Sequence, residues 1–313
     1  MLIFITKRVG FAILTLVVAT FLAFVLVHLS GSTPGGVVLG SSATPEEVFA
    51  YNEKIGWYDP WIVQYADWVG QVLQGDLGTS LIDGRPIGPD IAKRLPVTAA
   101  LAVFGTLLSA VAGIVLGVTA AVRRGAIDRT ITAGSGILMS LPVFWIGILL
   151  VYVFAVQLRL LPATGFVPFT TDPQAWARSL ALPVLTIAIA SVAGIARQTR
   201  ASMSESLAQE HIRTLRAVGT PTREIVYVHA LRGASLPILA SVAIQFIVLF
   251  SGSVAIEVLF ALPGIGQAMQ GAVGSADLPF VQALVLVATL VVVVVNFVIE
   301  MLNRTLDPKL RAS

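Results

Sequence analysis

Few residues in this 313-residue chain can do chemistry, and their types exclude more than they permit. There is no cysteine, so no thiolate nucleophile, disulfide or cysteine metal site can form. His28, His211 and His229 are scattered, and no metal site is expected. A phosphate-binding loop needs glycines ahead of Gly-Lys-Ser/Thr, yet none of Lys7, Lys54, Lys93 and Lys309 follows a glycine. Neither H-E-x-x-H nor G-x-S-x-G occurs, so no catalytic residue is expected and the chain does not read as an enzyme. What remains is a set of polar residues stranded in apolar sequence, chiefly Gln245, Ser251, Ser253 and Glu257. Such groups at membrane depth face a bundle interior or a watery cavity, because hydrocarbon leaves them unsolvated. These four are the candidates for lining a pathway. Glu257 reads first as structural, reaching interfacial water or pairing with a neighbouring helix. Asn296 and Glu300 stay undecided, and Ser109, Gly113 and Gly117 form a small-xxx-small row suited to close helix packing.

The second informative set is the basic stretch from Arg197 to Pro237. Its opening, Thr199 to Ala208, can prolong the preceding apolar helix into water. Gln209 to Val218 then reads as a short helix, stopped by Gly219, which accepts φ > 0 at a helix C-terminus. Thr220 and Pro221 predict a restart, with a hydroxyl cap followed by proline in the first turn. A short helix between two such breaks cannot bury itself, so it is placed to touch something else. On periodicity alone an ordinary solvated loop is the better reading.

Both sets depend on helices that the apolar pattern predicts. The chain is 56% hydrophobic and 12% charged, about half the charge of a soluble domain, and a bilayer explains that deficit. A formal charge of +3 on so apolar a chain gives no support to a nucleic-acid binder. A spanning helix needs about 20 apolar residues, and about six stretches qualify: Val9–Leu29, Val97–Val122, Ile131–Gln157 with Pro142 inside, Leu180–Ala196, Ala234–Leu262 and Phe280–Leu302. The expected fold is therefore all-α, a polytopic bundle of membrane helices. The first stretch exceeds the core of a signal peptide and lacks an A-x-A-like cleavage site, so it is read as an uncleaved helix. Lys7, Arg8, Arg123, Arg124, Arg129, the six arginines of 197–232, Arg304, Lys309 and Arg311 fall on one side, while the short loops on the other have only Arg159 and Arg178 between spans three and four and none between five and six. The excess marks the cytoplasmic side and predicts both termini inside.

Three regions follow: 1–29, a first membrane helix; 30–96, an extracytoplasmic segment; and 97–313, a core with the basic loop 197–233. Ser30 to Pro45 is rich in Gly, Ser, Thr and Pro and reads as loop. Trp61, Tyr65, Trp68, Val69 and Val72 share one helical face over Pro60–Leu73, with Trp57 and Tyr58 just before it. This helix suits the membrane surface, or equally packs onto the outer ends of the spans. Its segment carries Glu46, Glu47, Glu53, Asp59, Asp67, Asp76, Asp83 and Asp90, more acids than bases. They form a solvated face or face a soluble partner.

The run Glu-His-Ile-Arg-Thr-Leu-Arg-Ala-Val-Gly (Glu210–Gly219), then His229-Ala-Leu-Arg232 and Pro237, resembles the cytoplasmic loop of binding-protein-dependent ABC permeases of the dipeptide/oligopeptide/nickel group. Gly75–Ser80, Gly84-Arg85-Pro86, Arg94-Leu95-Pro96, Leu161–Gly165, Leu262–Gly266 and Leu306-Asp307-Pro308 extend the likeness in order along the chain. The resemblance implies a type I ABC importer permease fold in the bacterial cytoplasmic membrane and uptake of di- or oligopeptides. In it Glu210, Ile212, Arg213, Thr214, Leu215, Arg216, Ala217 and Gly219 form a coupling helix that docks on an ATPase. It also implies two ATPase domains that use ATP and Mg, a second homologous permease forming a heterodimer, an extracytoplasmic peptide-binding protein, and no cofactor on this chain. Glu257 is then a candidate for meeting a peptide's amino terminus. Arg213, Thr214 and Leu215 occupy the motif's leading triplet, where this group usually has Arg-Thr-Ala. Ser30–Gly36 departs from the usual Pro-Gly-Asp-Pro, and Leu262 replaces a usual tryptophan. Import of nickel or another small solute stays open within the class. An ion-gradient carrier is the rival outside it, although only Pro263–Gly266 resembles a broken helix and it has no matching partner.

Overall fold

A computed structural model describes residues 2–123 and 125–306. In chain order the helices are α1 (Leu2–Leu29), α2 (Pro34–Leu39), α3 (Pro45–Lys54), α4 (Trp61–Leu73), α5 (Ile87–Val122), α6 (Ala126–Ser140), α7 (Val143–Leu150, continued in π geometry over Val151–Gln157), α8 (Pro173–Ala208), α9 (Glu210–Ala217), α10 (Thr222–Glu224, continued in π geometry over Ile225–Ala230), α11 (Leu231–Gly252), α12 (Val254–Leu259), α13 (Ile265–Gly274) and α14 (Leu278–Leu306). Among the described residues no strand forms beyond one isolated bridge, Thr79 to Pro86. Helices satisfy their own backbone groups, which hydrocarbon requires. Arg124, Lys309, Arg311 and the Asp307-Pro308 ending lie outside the described residues.

Five helical stretches are long and apolar enough to cross a membrane: Arg8–Leu29, Ile87–Val122, Pro173–Ala208, Thr222–Gly252 and Leu278–Met301. The third predicted span is not one straight helix. Its halves, Ala126–Ser140 and Val143–Gln157, turn by 98° at Leu141-Pro142, so the count is six only if this bent pair is one span. Proline has no N–H to donate and pushes the residue before it out of the helical region, and Leu141 is extended at ψ 129°. The fourth span is longer than expected. Asp172 starts it by accepting the Gln174 and Ala175 amides at 2.9 and 3.1 Å, and the helix carries on through Ala208 as the sequence allowed.

The fifth predicted span, Ala234–Leu262, also divides. α11 ends at Gly252, and Val254–Leu259 forms the separate α12. That short helix closes with paired bonds, Ala261 N–H to Val258 O at 3.2 Å and Leu262 N–H to Glu257 O at 2.8 Å. The closure puts Ala261 at φ 51°, and Pro263 then prevents continuation.

Among the described residues, those up to 98 and 263–294 form one compact unit, and those of 99–262 with the rest from 295 on a second. In the first, Phe24, Ile87, Ile91, Ile265, Phe280 and Leu284 share a buried core. The aromatic stripe of α4 packs on α1: the Tyr65 hydroxyl lies 2.8 Å from Thr20 Oγ1 and donates to Val17 O at 3.1 Å. Trp61 and Tyr65 meet Phe24 edge-on, and Trp57 stacks on His28 at 4.2 Å.

Ser30–Pro45 is not simply a loop. Thr33 accepts the Gly36 amide at 3.2 Å and starts α2. Thr44 and Glu47 bond reciprocally, 2.8 Å from the Thr44 amide to Glu47 and 3.3 Å from the Glu47 amide to Thr44, and start α3. The Thr44 amide, then its hydroxyl, hold the Glu47 carboxyl below the ordinary range. The sequence signal was there, a capping box with proline in the first turn, beneath a composition typical of loops.

The break at Pro263–Gly266 leads into α13, which the apolar pattern did not mark. Its first amide, Ile265 N–H, is held by the buried Thr98 hydroxyl at 2.8 Å. Asp277, 2% exposed, accepts Ser80 Oγ at 2.5 Å and the Leu81 amide at 3.1 Å, pinning the loop around Thr79–Pro86 to the start of α14.

Candidate functional site

Within the second unit, α5 and α8 lie close because α5 carries small residues every fourth position. A Cβ on Gly105 would stand 2.6 Å from Ile187 Cγ2, on Gly113 2.8 Å from Ile195 Cβ, and on Gly117 2.6 Å from Ala196 O. Ser109 between them is fully buried. The row packs, as its spacing predicts, and extends one turn further to Gly105.

At the far end of α8 the chain makes the break on which the basic stretch turns. Gln209 is extended at ψ 152°, which ends α8 and opens α9. α9 has Glu210 in its first turn and Arg216 in its last, each complementing the helix dipole. Its one buried residue is Ile212, 0% exposed. Ile212 joins Met203 and Leu207 of α8, Ile225, Val226 and Ala230 of the π segment, and Ala234 and Ile238 of α11 in a single cluster. Leu215 packs on that cluster while half-buried. Glu210, Arg213, Thr214, Arg216, Ala217 and Gly219 are exposed. α9 is therefore anchored by one apolar side chain and presents a charged face outward.

The helix stops as the glycine predicts. Gly219 has φ 82°; its amide bonds Arg216 O at 3.1 Å and the Thr220 amide bonds Leu215 O at 3.0 Å, the two crossed bonds of a Schellman closure. The restart differs by one residue from expectation. Thr220 does not cap, because Pro221 is itself extended at ψ 136° and the helix begins only at Thr222. Pro221 takes the cap position, with no side-chain bond, and its carbonyl receives the Ile225 amide at 3.0 Å. The return leg is tied back to α8 by Ser206 Oγ donating to Ala230 O at 2.9 Å. Beside α9, Val218, Tyr227 and Val228 are 73%, 59% and 54% exposed. An open depression of about 460 Å³ is lined by Pro221, Arg223, Glu224, Tyr227 and Val228. Exposed apolar side chains of the C-terminal end of α9 and of the π segment thus lie beside the charged side chains of α9 and α10.

Sequence reading takes Arg200 only as a topology-setting charge and does not single out Asp128. The structure joins them: the Arg200 guanidinium forks onto Asp128, with Nη2 donating to Oδ2 at 2.7 Å and Nε donating to Oδ1. This ties α6 to α8 on the approach to α9. Two opposite charges at the ends of consecutive apolar stretches gave no way to fix the pair. In a double-mutant cycle of Asp128→Asn and Arg200→Gln, read by thermal unfolding in detergent, the coupling will be about 1 kcal/mol. The value is low for a bidentate pair because the Arg200 side chain is 40% exposed.

The four pathway candidates are not gathered in one place. Ser253 Oγ donates to Glu257 Oε1 at 2.9 Å, and both are buried. Gln245 donates to Ser191 Oγ on α8 at 3.0 Å. Ser251 is exposed. Gln245 and Glu257 are thus engaged within the subunit, and Glu257, fully buried, bonds Ser253 four residues before it. Among the described residues no group of three or more His, Asp or Glu is placed to hold a metal ion.

Residues 113–312 match the family of binding-protein-dependent transport system inner membrane components, and residues 1–102 match its N-terminal region. A protein of Brucella abortus named as a peptide transport system permease is 35% identical over 308 residues, 98% of each chain. The oligopeptide transport system permease protein AppB of Bacillus subtilis is 32% identical over 311 residues, again 98% of each. The metal-staphylopine import system permease protein CntB of Staphylococcus aureus is 32% identical over 313 residues and 98% of each. Among solved structures, a chain of the inward-facing MetNI methionine ABC transporter superposes with a TM-score of 0.59 at 19% identity, over 71% of this chain and 98% of that one. That likeness gives the fold, a type I ABC importer permease.

Proposed function

The chain belongs to the family of binding-protein-dependent transport system inner membrane components, and from that premise we propose that it is a permease subunit of an ATP-driven importer of di- or oligopeptides. The proposed assembly adds a second homologous permease, two ATPase domains that use ATP and Mg, and an extracytoplasmic binding protein that delivers the peptide. Both termini and α9 face the cytoplasm, following the arginine bias. ATP-driven closure of the ATPases moves α9. Because Ile212 is embedded among residues of α8 and α11, α9 moves with them, and the pathway opens outward.

The observation that carries this reading is the form of α9, with one buried apolar anchor in both neighbouring helices and an arginine-bearing face left exposed. The test is reconstitution in proteoliposomes with the partner subunits and the binding protein. Labelled peptide will accumulate only with ATP and the binding protein present. Accumulation by this chain alone under an ion gradient would overturn the reading. A second substrate class has one specific support, the likeness to a permease named for metal-staphylopine import. Competition of labelled peptide by metal complexes of amino-acid-like chelators decides between the two.

A further inference from the structure

Between α6 and α8, within the second unit, lies a cavity of about 200 Å³. Arg197 and Arg200 line it, and no acidic side chain does. The two cations are held differently. Arg200 commits Nε and Nη2 to Asp128, which fixes its guanidinium and leaves Nη1, with two of the five donors, unbonded among the described residues. Arg197 is exposed and forms no ion pair among the described residues. On the α6 side, the Ser135 hydroxyl lines the cavity and has no partner among those residues. Gly136 keeps the space open, since a Cβ there would meet nothing within 4 Å.

Depth is a second, independent observation. Arg197 is the first charge after the uncharged run Leu180–Ala196, so it stands where hydrocarbon gives way to lipid headgroups. α6 enters the bilayer from its Asp128 bond to Arg200, which puts Met139 on the deeper side of the cavity. From there an apolar strip runs on along α6, with Met139 48% and Ile137 63% exposed, and no residue of α6 is buried. The site therefore offers unanswered cations and a hydroxyl donor at headgroup level, and uncovered apolar surface just below them. A free phosphate would answer only the first. An anion carrying a hydrocarbon chain answers both.

We infer that this cavity binds an anionic phospholipid of the cytoplasmic leaflet, its phosphate against Arg197, Arg200 Nη1 and Ser135 Oγ and an acyl chain along Met139 and Ile137. Basic pockets between membrane helices on the cytoplasmic side suit such headgroups. The leaflet rests on the orientation proposed above, whereas the site itself does not depend on what the complex transports. Bound there, the lipid bridges α6 and α8 beside the Asp128 to Arg200 pair, on the approach to α9.

The test uses the assembled complex, purified in an uncharged detergent and titrated with phosphatidylglycerol, with bound lipid counted by native mass spectrometry. The wild type will prefer phosphatidylglycerol to phosphatidylcholine of the same acyl chains. Arg197→Gln will weaken phosphatidylglycerol binding roughly fivefold. Gly136→Leu, which fills the cavity from a position with open space around it, will weaken it at least as much without changing any charge. Arg129→Gln removes an exposed arginine outside the lining and will bind as the wild type does. Wild-type affinity in both Arg197→Gln and Gly136→Leu would overturn the inference. So would an equal loss in Arg129→Gln, which would reduce the effect to diffuse charge, or displacement of the lipid by inorganic phosphate at comparable concentration, which would make the site one for a soluble anion. Binding to the full chain alone that disappears in the assembled complex would also overturn it, by giving this face of α6 to the second permease. The orientation is read separately. The chain has no cysteine, so labelling of Ala217→Cys by an impermeant thiol reagent from outside would end the importer reading, whereas unchanged lipid binding in the two cavity variants ends this inference alone.

Discussion

Reversing both arginines of α9, Arg213→Glu with Arg216→Glu, will lower ATP-driven uptake more than about tenfold while the amount of subunit in the membrane stays unchanged. Both side chains are exposed, so the substitution removes nothing from the fold beyond a favourable charge near the helix C-terminus, worth less than about 1 kcal/mol. What it changes is the face offered to a partner. Placing like charge where opposite charge belongs costs an interface several kcal/mol, enough to release the ATPase. Ile212→Asp separates docking from folding, because it buries a carboxylate in the cluster joining α8, α9 and α11. An unpaired charge there costs several kcal/mol, and that variant will be lost from the membrane altogether. Gly219→Val falls between them. At φ 82° a β-branched residue is strained by about 1–2 kcal/mol, so α9 will be present but wrongly closed, and uptake will fall in part. Uptake by the double-arginine variant equal to wild type would remove α9 from the mechanism.

The sequence was most legible where one local rule operated without competition. Gly219 predicted its own conformation, and the aromatic stripe of α4 marked one face of that helix, though not that Trp61 and Tyr65 meet α1. The apolar runs fell inside α1, α5, α8 and α14, although α5 and α8 begin well before them, at Ile87 and Pro173. It was least legible where a rule applied but its strength depended on tertiary surroundings. Pro142 and Pro183 look alike in sequence, yet Pro183 sits inside an unbroken α8 and Pro142 marks a 98° turn. The difference is that Leu141 can become extended, whereas Leu182, fully buried in α8, cannot without leaving its packing. Thr220 had the chemistry of a cap, but the extended Pro221 moved the helix start on by one residue and left the Thr220 hydroxyl outside the cap position. The polar residues of the fifth span could not be placed for a different reason. Period and hydropathy say that Gln245 and Glu257 avoid lipid, but not that Ser191 and Ser253 are their partners.

Gly117→Leu will lower the apparent melting temperature of the purified subunit in detergent by roughly 5–10 °C, corresponding to an overpacking cost of about 2–3 kcal/mol. The whole effect begins at the first carbon. A Cβ at position 117 stands 2.5 Å from Thr199 Cβ and 2.6 Å from Ala196 O, and a backbone carbonyl in mid-helix cannot step aside as a flexible side chain can. α5 and α8 must therefore separate, which loses contacts along the row from Gly105 to Gly117. In a bilayer that loss matters more than in water, because close packing rather than water exclusion holds apolar helices together. Gly117→Ala should then show most of the damage of the leucine variant. Gly113→Ala, whose Cβ meets Ile195 at 2.8 Å, should add less than its single effect once the helices are already apart. Gly134→Ala in α6 is the comparison that isolates the cause. Nothing lies within 4 Å of its Cβ, and alanine favours the helix by up to about 1 kcal/mol, so this variant will melt at or slightly above the wild-type temperature. Equal losses at 117 and 134 would mean that glycine serves flexibility in both helices, and the close approach of α5 to α8 would no longer explain the row.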